Sequence, residues 1–401
     1  MTIEEQVELL IGDASEVVSR EELAAKLGLG RPLRIKYGAD PSAPDLHLGH
    51  SVPMTRLRRF QDLGHQVVFI IGDFTGRIGD PSGRSKTRPM LSSEEIDRNA
   101  ATFAQQAGKI LDMSKCEVRY NSEWLDELGA DGMIKLASRY TVARMLERDD
   151  FAKRLAEETP VSVQELLYPL VQAYDSVAIE SDVEVGGTDQ LFNFLVARDI
   201  MRAYDMEPQV VATWSLLVGT DGVEKMSKSL GNYVGITDEP TEMFGKLMSI
   251  PDDALPQYYA LLTDRGFDGA AQLDADIRAG TVHPMEAKKK LAGIMVARYY
   301  SEEEAQAARE EFERVFTRRE APEIVTRIVT IPAGSVAGGR ISIIELLTRA
   351  QGMSNTEARK LVRSGSVRLN EEVVEDELAE VEVRDDDILR IGKKRAYRVE
   401  G

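Results

Sequence analysis

A chain of 401 residues is long enough for two or three domains with sizeable cores, and 43% apolar with 29% charged residues is an ordinary globular composition. No apolar run approaches a membrane span. A single cysteine, Cys116, excludes an intrachain disulfide and a cysteine-cluster metal site. With an acidic N-terminus that lacks a secretory signal's basic end and apolar middle, it makes a reducing cytoplasm the expected compartment. The formal net charge of −18 repels nucleic acid at long range. An RNA ligand must therefore be met by local basic patches and bind less well as salt rises.

In chain order, Ile3 to Leu29 reads as one amphipathic helix closed by Gly28 and Gly30, and Leu33 to Tyr37 as a short strand. A turn-rich stretch from Gly38 to Asp45 follows, then a helix from Leu46 to Leu63 ending at Gly64. Val67 to Ile71 is a continuous apolar run, as expected of a strand buried on both faces. Strand, turn, helix and strand make a βαβ unit. Ser92 and Glu95 form a capping-box pattern at the head of a helix reaching Leu111. Glu117 to Tyr120, Asp182 to Val185 and Gln209 to Trp214 are further strands, with a helix from Asp189 to Tyr204 between the last two. This alternation predicts an α/β fold: a Rossmann-like doubly wound parallel sheet over residues 1–238, with an inserted segment at about 115–180.

From 239 to 316 the pattern is helical, and 239–328 is expected to form a helical domain. Pro332, Gly334, Gly338 and Gly339 mark 329–340 as a linker. Residues 341–401 read as a separate small α+β unit. It has a helix from Ile341 to Gln351 and a second helix opened by the capping box Ser354 to Glu357. Short strands follow at Val367 to Leu369, Ile388 to Ile391 and Tyr397 to Val399.

His47 and His50 are three residues apart near a helix N-terminus, where the dipole and free N–H groups favour phosphate. Gly49 between them lets a nucleotide approach the backbone. Lys225 and Lys228, around Met226 in Lys-Met-Ser-Lys-Ser, lie in a polar loop whose ammonium groups can follow a departing pyrophosphate. Gly187, Asp189 and Gln190 sit in a strand-to-helix turn suited to ribose and phosphate contacts. Tyr168, Gln172 and Asp175 are spaced i, i+4 and i+7 and fall on one helical face. Asp80, in a tight turn, can hold an ammonium group, and Arg84, Lys86 and Arg88 add positive charge just beyond it. A two-histidine metal site, ordinary caps and solvated bases are the competing readings of these positions taken singly.

His47-Leu48-Gly49-His50 and Lys225-to-Ser229, in this order and 178 residues apart (225 − 47), resemble the paired ATP-binding signatures of class I aminoacyl-tRNA synthetases. With the Tyr168, Gln172, Asp175 face and Asp80, the chain looks like the bacterial tyrosyl-tRNA synthetases. The resemblance is strong from about Arg34 to Tyr233 and weaker to the C-terminal unit, which is similar to their small RNA-binding module.

It implies tyrosine activation by ATP with Mg2+, followed by transfer to tRNA(Tyr) in a homodimer, with no membrane partner and no dedicated protein metal site. Asp80, Tyr168 and Gln172 would hold the substrate amine, and Asp175 the phenol, with Gly38 and Gln190 beside them. Asp40, Ser42, His47, Gly49, His50, Gly187, Asp189 and Gln190 would contact ATP or the adenylate. Arg84, Arg88, Lys225 and Lys228 would be the mobile basic groups of the activation step. Arg359, Lys360, Arg363 and Arg368 would face RNA. Residues 140–167 are expected to form part of the dimer interface. Where many of these enzymes have a second tyrosine for the phenol, this chain has Lys36, expected to point elsewhere. A tryptophanyl-tRNA synthetase and an RNA-binding paralogue without activation chemistry are the alternatives.

Overall fold

The computed structural model describes residues 1–41, 45–82, 92–264, 266–317, 327–330, 340–370, 372–384, 387–392 and 395–400. They divide into two compact units, Met1–Ala305 and Gln306–Gly401.

The first unit is built on a six-stranded sheet of β1 (Glu16–Val18), β2 (Arg34–Ala39), β3 (Gln66–Ile71), β4 (Cys116–Tyr120), β5 (Val183–Gly187) and β6 (Val210–Trp214). Their order is β1-β6-β5-β2-β3-β4. All neighbours are parallel except β1, which pairs antiparallel with β6. Val67, Val68, Phe69, Ile70 and Ile71 of β3 are all fully buried, which is why that strand carries no alternation. From β2 the winding runs through β3 to β4. From β5 it runs the other way to β6. The carboxyl ends of β2 and β5 therefore flank a topological switch point, where open α/β sheets place their ligands.

The N-terminal region departs from the expected single helix. Helices Ile3–Ile11 and Arg20–Leu27 are separated by β1. Thr2 and Ser19 cap the two helices separately. The Ser15 amide donates to Thr213 O at 2.8 Å, and Glu16 pairs with Thr213. The free edge of β6 thus captures three residues whose local periodicity reads as helix. Smaller shifts follow the same logic. The helix expected from Leu46 runs Leu48–Asp62, because His47 is its N-cap and Leu46 O accepts from the Ile236 amide. A 3₁₀ turn, Thr188–Gln190, precedes the helix Leu191–Ala203.

The segment after β4 packs on a later helix. Its helix Val163–Ala178 lies on Leu191–Ala203 through a core that includes Phe151, Leu170, Val196 and Ile200. The helices Pro240–Met248, Leu255–Leu262, Gly266–Arg278 and Pro284–Tyr299 belong to the same unit, which runs on through residue 305. Polar ties fasten them. Arg56 Nη1 donates to Leu261 O at 2.6 Å, and Tyr258 OH to Val218 O at 2.9 Å.

In the second unit, β7 (Arg327–Thr330), β9 (Val367–Leu369), β10 (Glu372–Val373), β12 (Ile388–Ile391) and β13 (Arg395–Glu400) form a sheet in the order β10-β9-β12-β13-β7. β8 (Arg340–Ser342) pairs with β11 (Glu380–Glu382). The helix expected from Ile341 therefore begins at Ile343 and runs to Gln351. The second helix, Asn355–Arg363, carries the expected Ser354–Glu357 capping box. Leu346, Leu347, Val362, Val367 and Leu389 are fully buried and form this unit's own core. Most of the expected linker, residues 331–339, lies outside the described residues.

Candidate active site

A cavity of about 580 Å³ opens at the switch point. One wall is the helix Val163–Ala178. The tyrosine, glutamine and aspartate spaced along it do share a face and line the cavity. Tyr168 OH donates to Asp40 Oδ2 at 2.9 Å, and Asp40 Oδ1 accepts from Thr75 Oγ1 at 2.7 Å. Gly72 makes room for this contact: a Cβ there would lie 2.1 Å from Asp40 Oδ1. Gln172 accepts from Asn193 Nδ2 at 2.9 Å and donates to Gln190 Oε1 at 3.3 Å. Gln190 Nε2 in turn donates to Asp80 Oδ2 at 2.7 Å, while Asp80 Oδ1 accepts from the Ser82 amide at 2.8 Å.

Asp175, farther along the same helix, is 3% exposed. It accepts from Trp124 Nε1 at 2.9 Å and, more weakly, from Asn121 Nδ2 at 3.4 Å. Burial pushes its carboxyl up to about 6, against the opposing pull of Lys36 and of these two donors.

The other end of the cavity is made where the two signature strings meet. His47 pairs across an isolated bridge with Gly235, and the Leu48 amide donates to Val234 O at 2.9 Å. Met226 packs against Gly49, where an added Cβ would sit 3.7 Å from Met226 Cβ and 3.0 Å from the His47 ring. His47 and His50 do not simply share a helix face. They form a reciprocal cap, with the Gly49 amide donating to His47 Nδ1 and the His47 amide to His50 Nδ1, both at 3.2 Å. With Nδ1 accepting in both rings, the ring proton of each sits on Nε2, which is left as the donor. Burial, with His50, Lys228 and Lys225 adding to it, holds the His47 ring well below the ordinary histidine range. Burial and Lys228 bring His50 down to about 4. Both imidazoles are therefore neutral at pH 7.

The lysine loop is held by lighter contacts. The Met226 amide donates to Leu217 O at 2.8 Å, and the Ser227 amide to Asn232 Oδ1 at 2.8 Å. Lys225 Nζ pairs with Asp189 Oδ2 at 3.0 Å, and Lys228 Nζ with Asp45 Oδ2 at 3.4 Å, both pairs partly exposed. Gly187 lies close to the Leu216 and Asp189 side chains: an added Cβ would sit 2.7 and 2.8 Å from them, so both would have to shift to admit a larger residue.

Gly38, Asp80 and Gln190 line the same cavity as these groups. Sequence reasoning missed Thr75, Asn121, Trp124 and Asn193. Each is a lone residue on an element distant in sequence, and no spacing rule ties it to the site. Ser42, Arg84 and Arg88 lie outside the described residues. Arg359, Lys360, Arg363 and Arg368 are exposed on the second unit. There Arg363 is already bound by Glu377 at 2.6 and 2.9 Å. Among the described residues no group of three or more His, Cys, Asp or Glu side chains could hold a metal ion. Among the described residues no helix is long and apolar enough to cross a membrane.

A doubly wound sheet with a histidine-capped helix and a lysine loop meeting over its switch point defines a nucleotide-binding α/β protein of the class I synthetase type. Residues 29–317 match the family of class I tRNA synthetases of the tryptophan and tyrosine branch. The chain is 50% identical to the tyrosine–tRNA ligase of Aquifex aeolicus, over 100% of this chain and 99% of that one. It is 49% identical to the tyrosine–tRNA ligase of Thermotoga maritima, over 100% and 98%. The family match alone does not separate tryptophan from tyrosine, but these full-length relatives do: the chain belongs to the tyrosine–tRNA ligases.

Among solved structures, the tyrosyl-tRNA synthetase of Archaeoglobus fulgidus in complex with L-tyrosine superposes with a TM-score of 0.62 at 24% identity, over 77% of this chain and all of that one. That of Aeropyrum pernix gives 0.63 at 20%, over 78% and 99%. At these identities the likeness concerns the fold.

Proposed function

We propose that this chain joins L-tyrosine to tRNA(Tyr) in two steps within the cavity just described. The tyrosine carboxylate attacks the α-phosphorus of ATP, forming tyrosyl-adenylate and releasing pyrophosphate. A terminal ribose hydroxyl of the tRNA then attacks the acyl carbon and AMP departs. The observation that carries this reading is Asp175, a buried carboxylate held by two donors in the cavity wall, an acceptor suited to a phenol. Tyr168, Gln172 and Asp80 line the same cavity and present the oxygen acceptors that a substrate amine needs. Gln190 orients Asp80, and Gly38 leaves room for the substrate backbone.

His47 and His50 would donate from Nε2 to ATP phosphate oxygens, and the helix N-terminus adds its dipole. Asp189 and Gly187 suit the ribose, and Asp40 and Ser42 complete the adenylate contacts. Lys225 now neutralises Asp189. Once a ribose hydroxyl donates to Asp189, that ammonium is released toward the pyrophosphate, which it and Lys228 would accompany with Arg84 and Arg88. The attacking carboxylate is already ionised, so positioning and charge stabilisation suffice without a general base. Magnesium would enter with the ATP phosphates as part of the substrate.

The chain would work in the cytoplasm as a homodimer. Ile134, Val142, Leu155 and Val163, large apolar side chains that are 47–73% exposed, support a second copy docking near residues 140–167. Residues 239–328 would face the anticodon side of the tRNA, and Arg359, Lys360, Arg363 and Arg368 would add RNA contacts. An ATP–pyrophosphate exchange assay tests the core of the reading. Exchange should depend on tyrosine and not on tryptophan. No exchange with tyrosine would overturn it.

A further inference from the structure

Lys36 is a lysine on a central strand with 1% exposure, and its ammonium is fully used. Nζ pairs with Glu184 Oε1 at 2.7 Å, donates to Ser176 Oγ at 2.8 Å and donates to the Gln172 carbonyl at 2.9 Å. An ammonium has three donors, so none remains for a ligand. The partner Glu184, on β5, is also satisfied, with Oε2 accepting from Gln209 Nε2 at 2.7 Å and from Ser176 Oγ at 3.2 Å. Ser176, Glu184 and Gln209 are each 1% exposed or less. A buried ion pair of this kind adds little stability over apolar packing of the same volume. Its placement is therefore informative. It bonds the one helical turn that runs from Gln172 to Ser176, and Asp175 lies inside that turn.

We propose that Lys36 is a positioning residue for tyrosine selection. It pins the Gln172–Ser176 turn to β2 and β5 and supplies the cation that the buried Asp175 carboxylate faces. The charged groups around Asp175 are Lys36 from β2 and Glu184 from β5. On its own helix Tyr168 is the titratable neighbour, with Asp40 and Asp80 beyond it. Asn121 and Trp124 contribute neutral donors from the opposite side. The pull of Lys36 on Asp175 outweighs the opposing push of Glu184. Lys36 thus favours the acceptor form that a phenol needs and a phenyl ring cannot use.

The inference rests on the tyrosine-activating reading. Its test is tyrosine- and phenylalanine-dependent ATP–pyrophosphate exchange by the full chain, from pH 5 to 8. The variants are Lys36→Gln and the double change Lys36→Met with Glu184→Gln. The double variant leaves no unpaired buried carboxylate and keeps the amide contacts to Ser176 and Gln209, so it should melt close to the wild-type temperature. It should lose about tenfold or more in kcat/KM for tyrosine, with the ATP KM and the phenylalanine kcat/KM altered by less than about threefold. The acidic limb of the tyrosine profile should move to higher pH in both variants. An unchanged tyrosine-to-phenylalanine ratio and an unmoved limb in the folded double variant would overturn the inference alone. So would a uniform decline for tyrosine, phenylalanine and ATP in step with lowered melting. A wild-type chain without tyrosine-dependent exchange would overturn the functional reading and this inference together.

Discussion

The two ends of the cavity are built in opposite ways. At one end, Asp175, Tyr168 and Lys36 are at least 95% buried and project from a helix and a central strand. Their partners are fixed by β2, β5 and the helix Val163–Ala178. At the nucleotide end, Lys225 and Lys228 stand on a loop, held by ion pairs whose members are 17–44% exposed. Such pairs contribute roughly 1 kcal/mol or less. Selection needs fixed polar groups that a wrong substrate leaves unpaired in a desolvated place. Activation needs cations that can change partners as charge moves to the departing pyrophosphate. The difference in burial suits the two tasks proposed for these ends.

The largest break in this contrast is expected from Asp175→Ala. It strands the Trp124 and Asn121 donors and removes the proposed phenol acceptor. Tyrosine kcat/KM should fall on the order of 10³-fold with the ATP KM little altered. The rejection of phenylalanine by tyrosyl-tRNA synthetases is itself the reference case for this effect, at about 10⁵-fold without editing, and that figure is borrowed from the family. An unaltered tyrosine KM and unaltered selectivity would erase the distinction between the two ends.

Lys228→Ala should act at the other end. Pre-steady-state adenylate formation should slow by about 10²-fold, while tyrosine binding measured by calorimetry stays put. Equal losses in both quantities would mean that the loop shapes the tyrosine end as well.

Acidity separates the ends more finely. Protonation of Asp175 below about pH 6 should lower tyrosine kcat/KM approximately tenfold per unit further down. The neutral histidines should leave the ATP KM flat between pH 8 and 6. The stability signs are opposite. The raised Asp175 carboxyl gives stability that is complete below its unfolded value near 3.8 and is lost as pH rises through about 6. The lowered His50 gives stability present above 6.5 that is lost as pH falls toward about 4. Asp175→Asn should therefore gain on wild type between pH 4 and 7, by up to about 3 kcal/mol. Denaturant midpoints at those two values would measure it.

The smallest effect is expected on the second unit. Lys360→Ala should reduce the salt slope of tRNA binding by about 1. Arg363→Ala should change it less, because Glu377 already holds that guanidinium. The reverse order would place the RNA on the Arg363 side.

Much of the site was legible because its parts are local. The spacing of Tyr168, Gln172 and Asp175 gives one helical face without knowledge of what lies opposite. His47-Leu48-Gly49-His50 sits at a helix start that turn residues announce. Lys36 shows where local pattern runs out. Its strand position reads as core, and nothing nearby in the chain reveals Glu184, Ser176 or Gln209 as its partners. The break of the first expected helix by Glu16–Val18 has the same origin: its cause is the edge of β6, some 195 residues on.

Periodicity, caps and two short signatures were enough for the α/β class and the reaction type. Each cap, periodic segment and signature is itself a string of residues within a few turns of one another. Only the folded chain decided that Asp175 would be desolvated and faced by Lys36, that both imidazoles would stay neutral, and that Lys225 would rest on Asp189. Burial and ion pairing are properties of what surrounds a group, and the groups that surround these come from strands and helices tens to hundreds of residues away.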